Sequence, residues 1–259
     1  MRYMKTIILC GGMGTRLREE TEHRPKPLVE IGGKPILWHI MKIYAHYGFK
    51  DFALCLGYKG NLIKQYFLEY ETMNRNFEIE LGTNKIQFYG KHDEQDFHVS
   101  LIDTGLETMT GGRIKRMKPY ITDDIFMVTY GDSVADIDIT KLLQFHESHG
   151  CAATITVVKP TSRFGVLQID EKNKVTKFDE KPTLEGSINA GFYVFNRKVF
   201  DYLSDDTCVL ERTPLMNLAK DGELCAYHHP GTFNAMDTYR DYLELNNLWN
   251  SNKAKWKIW

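Results

Sequence analysis

Short uninterrupted apolar runs alternate along the chain with stretches in which apolar side chains recur every three or four positions. Residues 6–10, Thr-Ile-Ile-Leu-Cys, form the first such run and stop at glycines, the pattern of a strand buried on both faces. Ile36, Leu37, Ile40, Met41, Ile43 and Tyr44 then fall on one helical face, with Gly48 as a natural C-terminal stop. Asp51–Leu56 reads as a second buried strand ending at Gly57, so the chain opens on a β-α-β unit. Leu62, Ile63, Tyr66 and Phe67 predict another helix, and residues 77–81, 86–89 and 99–102 predict shorter strands. Ile125–Tyr130 predicts a central strand running into Gly131-Asp132, followed by a helix over 140–149 capped by Asp138 or Thr140. Further strands are expected at 152–158, 165–169 and 189–195, and helices at 215–220 and 237–249. Alternating strands and helices with short connections, some of them hairpin-like, predict a three-layer α/β protein with a mixed, mostly parallel sheet. No repeat, low-complexity tract or dividing linker interrupts the pattern, and residues 1–259 are expected to form a single domain.

Composition narrows the function classes. The 42% apolar and 12% aromatic content excludes disorder as the main theme. Lys and Arg total 33 against 34 for Asp and Glu, so the overall field predicts neither a nucleic-acid nor a membrane partner. No apolar run approaches the roughly 20 residues of a membrane span. The first apolar run is also too short for a signal-peptide core. Cys10, Cys55, Cys151, Cys208 and Cys225 are odd in number, scattered and without a C-x-x-C pair. Neither a disulfide framework nor a zinc site is expected, which agrees with a cytoplasmic location.

Candidate chemistry concentrates where the first strand ends. In Leu9-Cys10-Gly11-Gly12-Met13-Gly14-Thr15-Arg16-Leu17, three glycines lead into a basic residue. Glycines let backbone N–H groups approach phosphate oxygens with no Cβ in the way. The spacing matches neither a Walker A loop nor a dinucleotide fingerprint. A tight turn without a ligand remains open on the glycines alone. Arg24-Pro25-Lys26-Pro27 follows, and two prolines restrict the backbone of Lys26, so that its ammonium can be held in place. A guanidinium and a positioned ammonium beside a backbone nest suit a triphosphate; solvated loop charges are the alternative.

These residues carry a resemblance. Residues 11–17 followed by Pro25-Lys26-Pro27-Leu28-Val29 resemble the signature of the sugar-1-phosphate nucleotidyltransferases. Segments 31–39, 57–60, 103–105, 109–113, 130–132 and 236–238 are similar, in order, to the glucose-1-phosphate cytidylyltransferases within that superfamily, and the similarity spans nearly the whole chain. It implies a Rossmann-like fold of the nucleotide-diphospho-sugar transferase type, CTP and a sugar 1-phosphate as substrates, and Mg²⁺ held by Asp132 and Asp237. Asp132 also follows a buried strand, where open α/β sheets place ligands, whereas Asp237 on its own reads rather as a helix N-cap. The nucleotide side is expected to comprise Leu9, Cys10, Gly11, Gly12, Met13, Gly14, Thr15, Arg16, Lys26, Thr108, Arg113 and Gly131. Arg16, Lys26 and Asp132 are the expected catalytic groups. Residues 108–113 look like a loop able to approach a planar base, or a simple glycine turn. The resemblance places Lys181 on the acceptor phosphate and Glu180 and Asn189 on sugar hydroxyls.

Competing readings rest on other residues. Asp136 and Asp138 form a D-x-D that suggests a glycosyltransferase, but Asp138 has a ready role as a helix cap. His146 and His149, near a helix end before Gly150, are explained by dipole contact rather than metal ligation, and His228-His229 lacks a matching ligand pair. A catalytically silent nucleotide-sugar sensor, or the same fold acting on another nucleotide or acceptor, remains open. Trp249, Trp256 and Trp259 either cover the core or dock on a neighbouring subunit, and a homo-oligomer is expected.

Overall fold

The computed structural model describes residues 4–162 and 164–259. Seven strands form its central sheet: β1 (Lys5–Leu9), β2 (Asp51–Leu56), β3 (His98–Asp103), β4 (Ile125–Tyr130), β5 (Ala153–Val158), β6 (Ile188–Asn196) and β7 (Leu224–His228). Their spatial order is β7-β5-β6-β4-β1-β2-β3. Strand β6 runs antiparallel to β5 and β4, while β1, β2, β3 and β4 pair in parallel, as do β5 and β7. The sheet is therefore mixed and mostly parallel.

Side-chain alternation divides the core between the two sheet faces. Ile8, Phe52, Leu54, Met127, Phe192 and Val194 join one cluster with helices α1 (Ile36–His46), α2 (Gly60–Leu68), α4 (Ile139–His149) and α6 (Tyr239–Asn250). Ile7, Ala53, Cys55, Phe126, Val128 and Tyr193 join the other with α3 (Thr110–Arg116) and α5 (Thr213–Lys220). Three layers result, because each buried strand must be covered twice. Among the described residues no helix is long and apolar enough to cross a membrane.

Where the structure departs from sequence expectation, a specific interaction explains it. Helix α4 is capped by Asp138, whose carboxylate accepts from the Lys141 N–H at 2.9 Å. Helix α6 begins later than expected, with Thr238 and Asp241 closing a reciprocal capping box, so Asp237 is not the cap. Residues 108–113 are not a loop throughout. Gly111 and Gly112 lie inside α3, where a Cβ would meet Cys208 Sγ at 2.6 Å and the Asp206 backbone at 2.8 Å. Those glycines allow close helix packing. The two strands Val166–Ile169 and Val175–Asp179 form a hairpin of which only the first was legible, since both are exposed and lack buried alternation. Cys151 and Cys225, 74 positions apart, come into Sγ contact because β5 and β7 are neighbours, a pairing that sequence spacing did not suggest.

The C-terminal tryptophans cover α1. Trp256 is fully buried, and its indole N–H donates to His39 Nδ1 at 3.4 Å while His39 Nε2 faces the Ile31 carbonyl at 2.9 Å. Trp249 meets the same imidazole edge-on with centroids 4.6 Å apart. Burial pushes the His39 pKa down to about 4, and a proton on Nδ1 would confront an indole N–H. A His whose pKa falls on folding stabilises fully above its unfolded value near 6.5, and that stability is lost as pH drops towards 4. The difference between wild-type and His39→Gln urea stabilities should therefore shift by about 3 kcal/mol across that window. Parallel pH profiles for the two proteins would remove His39 as the source.

Candidate active site

Sheet order selects the site. From β1 the chain crosses to β2 and β3 on one side and later returns to β4 on the other, so the carboxyl ends of β1 and β4 flank a topological switch point. The glycine segment leaves β1 there, and Gly131-Asp132 leaves β4 beside it, with the Gly131 N–H donating to Leu9 O at 3.0 Å. A Cβ at Gly131 would stand 2.9 Å from that same carbonyl. Gly14 holds φ +63°, packed on Thr21, whose hydroxyl donates to the Gly14 and Leu17 carbonyls. Gly12 differs from both: no heavy atom lies within 4 Å of where its Cβ would be. The folded chain imposes no steric need for glycine there.

These turns border a cleft of about 310 Å³. Its walls include Leu9, Cys10, Gly11, Gly12, Gly14, Thr15, Arg16, Lys26, Thr108, Arg113, Gly131 and Asp132. Met13 is 46% exposed beside them. The nucleotide-side residues expected from sequence thus gather around one cavity.

At its floor lies a charge cluster assembled from three distant segments. Lys26 Nζ stands 2.7 Å from Asp132 Oδ2 and 2.8 Å from Asp237 Oδ1. Burial works against the Lys26 ammonium, but the two carboxylates outweigh it and the pKa lies above the ordinary lysine value. Arg16 Nη2 reaches Asp237 at 3.2 Å from an otherwise exposed side chain. Backbone pairing supports the convergence: Ser133–Ala135 pairs antiparallel with Phe233–Ala235, and the Met236 N–H donates to Asp132 O. Two hard carboxylate oxygens already converge on a single cation, so the donor set suits a divalent metal such as Mg²⁺.

Arg113 stands apart from this cluster. Its side chain is buried, and its terminal nitrogens donate to the carbonyls of Leu56, Gly105, Leu106 and Gly11 and to the Thr104 hydroxyl, at 2.8–3.2 Å. A Cβ on Gly11 would fall 2.2 Å from the guanidinium. Arg113 therefore fixes the glycine turn from behind, a role its position on the sequence did not reveal. Burial lowers its pKa.

A second cleft of about 540 Å³ is lined by Lys181 together with Lys159, Arg240 and Phe233–Ala235, the strand that leads to Asp237. Glu180 is exposed at the neighbouring hairpin, with its carboxylate 3.2 Å from where a Gly165 Cβ would lie. Asn189 is tied down, donating from Nδ2 to Tyr193 Oη at 2.5 Å and accepting the Gly191 N–H at 2.8 Å. Tyr193 in turn contacts Tyr130 Oη at 3.1 Å, and Tyr130 donates to Glu211, linking Asn189 to the nucleotide-side wall. Lys159, Arg240 and this tyrosine relay carry no local sequence signal, because partners far apart in the chain define them. Asp136 is committed elsewhere, accepting from His229 and the Thr232 N–H, and Asp138 caps α4. The D-x-D pair thus serves the scaffold.

Comparison with known proteins points the same way. Residues 5–216 match the family described as Nucleotidyl transferase. The chain is 49% identical over 258 residues to the glucose-1-phosphate cytidylyltransferase of Salmonella typhi, covering 99% of this chain and 100% of that protein. It is 47% identical over 257 residues to the probable glucose-1-phosphate cytidylyltransferase of Bacillus subtilis (strain 168), with 99% and 100% covered. Among solved structures, HddC from Yersinia pseudotuberculosis superposes with a TM-score of 0.70 at 26% identity, over 95% of this chain and 99% of that one.

The backbone role of Arg113 has a measurable consequence. Arg113→Met strands several buried carbonyls and should lower stability by about 3 kcal/mol or more. Arg113→Lys should fail to restore it, because one ammonium cannot reproduce the guanidinium fork. Denaturation midpoints of both variants near that of the wild type would contradict this assignment.

Proposed function

Since the chain belongs to the nucleotidyl transferase family, we propose that it transfers the cytidylyl group of CTP to α-D-glucose 1-phosphate, releasing pyrophosphate and forming CDP-glucose. The observation that carries this reading is the cleft at the β1/β4 switch point, lined by Gly12, Lys26 and Asp132, with Asp237 paired to the same Lys26. All 259 residues act as one nucleotidyltransferase domain, with α6 and the tail packed on the same core.

A phosphate oxygen of the sugar phosphate attacks the α-phosphorus of CTP in line, the bond to the β-phosphate oxygen breaks, and pyrophosphate leaves. No enzyme nucleophile is needed, because the acceptor is already an anion at neutral pH. The barrier lies in bringing two anions together and spreading charge in the transition state. Backbone N–H groups of residues 11–15 and the side chains of Arg16 and Lys26 hold the triphosphate. Thr108 and Gly131 border the nucleoside, and Arg113 keeps their cleft in shape. Lys181 neutralises the acceptor phosphate while Glu180 and Asn189 bind sugar hydroxyls. Asp132 and Asp237 are the carboxylates that would hold Mg²⁺, and the ion would supply positive charge against the phosphates. Lys26, which lines the cleft, presents its ammonium to the phosphates. The family's dependence on a divalent metal supports this division of labour. The protein works in the cytoplasm as a homo-oligomer; a stripe of Phe77, Ile79 and Ile86 left exposed on the hairpin of Asn76–Glu80 and Lys85–Tyr89 supports assembly.

Pyrophosphate release measured with each nucleoside triphosphate, Mg²⁺ and a panel of sugar 1-phosphates tests the reading directly. CTP with glucose 1-phosphate should be the productive pair; turnover only with another pair would reassign the substrates, and nucleotide binding without any turnover would leave a sensor. Asp132→Asn should lower kcat on the order of a hundredfold or more while the fold persists, because Asp237 still balances Lys26. Gly12→Ala should fold normally and raise KM for CTP about tenfold by keeping the phosphates off the backbone. Wild-type kinetics in Gly12→Ala would place the triphosphate elsewhere.

A further inference from the structure

At the opposite end of the sheet from the cleft, a second cluster takes no part in the chemistry above. Cys151 follows α4 and Gly150 and enters β5, and its Sγ lies 2.8 Å from Cys225 Sγ on the edge strand β7. Both residues are half-buried, whereas Cys10, Cys55 and Cys208 are enclosed in the core. His149 stands beside them, and its ring and the two sulfurs offer ligand atoms within 4.8 Å of one another.

Hydrogen bonding decides between a metal trio and a thiol pair. Asn196 donates from Nδ2 to the Cys151 carbonyl at 3.1 Å, so its Oδ1, 3.2 Å from His146 Nε2, must accept a proton from that nitrogen. His146 Nδ1 then accepts the Thr154 hydroxyl at 2.8 Å, and Thr154 Oγ1 accepts from His149 Nε2 at 2.7 Å. His149 Nδ1 accepts the Cys151 N–H at 3.0 Å. The bonds form a closed ring that begins and ends on the Cys151 backbone and uses every nitrogen of both imidazoles in their neutral forms. Burial lowers the pKa of His146 and of His149, in keeping with that state. A metal would have to break the ring to reach His149. The thiols need no such rearrangement: the ring holds Cys151 at both its N–H and its C=O, with its sulfur against Cys225.

We propose that Cys151 and Cys225 form a redox-active dithiol that closes to an intramolecular disulfide by exchange with a low-molecular-weight disulfide. In the first step the Cys151 thiolate attacks one sulfur of the external disulfide, forming a mixed disulfide and expelling one thiolate, which takes up the proton Cys151 lost. In the second, the deprotonated Cys225 sulfur attacks Cys151 Sγ, and the second external thiolate leaves and is protonated in turn. Two protein thiols are oxidised and one external disulfide is reduced to two thiols. Burial and the Cys151 contact push the Cys225 thiol up, in keeping with its second place in the sequence. Closure ties edge strand β7 to the turn between α4 and β5, a part of the sheet that backbone ladder bonds reach from one side only.

Oxidised glutathione provides the test. The full-length protein is incubated with it, quenched with acid, unfolded and alkylated, and thiols and peptide masses are compared with the reduced protein. Wild type should fall from five free thiols to three, yield a cross-linked peptide joining Cys151 and Cys225, carry no glutathione, and gain several degrees in Tm. Cys225→Ser should stop at a stable glutathione adduct on Cys151. Retention of five thiols, a persistent adduct in the wild type, or a cross-link through Cys10, Cys55 or Cys208 would overturn the proposal. So would stoichiometric zinc uptake by the reduced protein that disappears in His149→Ala.

Discussion

One buried ammonium sets the geometry of the cleft. Lys26 sits between two carboxylates contributed by residues 106 and 211 positions further along the chain, and at 11% side-chain exposure it has little water to share its charge with. A lysine so placed is tolerable only while paired, since breaking a buried ion pair typically costs about 3–5 kcal/mol. The loop after β1, the end of β4 and the approach to α6 must therefore converge for any one of them to be stable. Two carboxylates of like charge likewise need a cation between them. Lys26 meets that need with its own ammonium, at 2.7 Å from Asp132 and 2.8 Å from Asp237.

The two cations nearest the glycine turn have opposite fates. Arg113 spends its terminal nitrogens on backbone carbonyls and one hydroxyl, with no carboxylate among those acceptors. It is a fixed strut: releasing it would leave several carbonyls without donors. Lys26 has two charged partners and a compact head that rotates among acceptors. A guanidinium suits the first task and an ammonium the second, because a planar fork satisfies several fixed carbonyls at once whereas a point charge exchanges partners readily.

What the sequence disclosed follows from how locally each feature is encoded. Strands β1, β2 and β4 and helix α1 are continuous or periodic apolar segments, and burial on both sheet faces leaves that mark on every residue. The glycine turn and Gly131-Asp132 were legible for the same reason, since each directly follows such a strand. Features defined by a partner far away were not. Arg113 looks like any basic residue until Leu56 and Gly11 surround it, and Gly111-Gly112 looks like a turn until the backbone at 205–210 presses on α3. Asp237 read as a cap because Asp is a good one; Thr238, one position later, also caps and can pair reciprocally with Asp241. Both strands of the exposed hairpin Asn76–Glu80 and Lys85–Tyr89 were legible, whereas of Val166–Ile169 and Val175–Asp179 only the first was.

The remaining question is why the cleft opens at β1 and not at another strand end. At β2 and β3 the chain continues in one direction, and the connections that leave their carboxyl ends pack over the sheet: the Tyr58 N–H is spent on Gly11 O and the Thr104 N–H on Leu56 O. Between β1 and β4 the connections diverge to opposite sides, which leaves a crevice outside their carboxyl ends. That space is lined by Gly12, where an added Cβ would meet no heavy atom beyond its chain neighbours, and by Lys26 and Asp132, which pair with each other. Strand order thus creates the space, glycine leaves it unfilled, and the ion cluster fixes where charge can be received. Altering any one of the three would leave the other two in place without the cleft they form together.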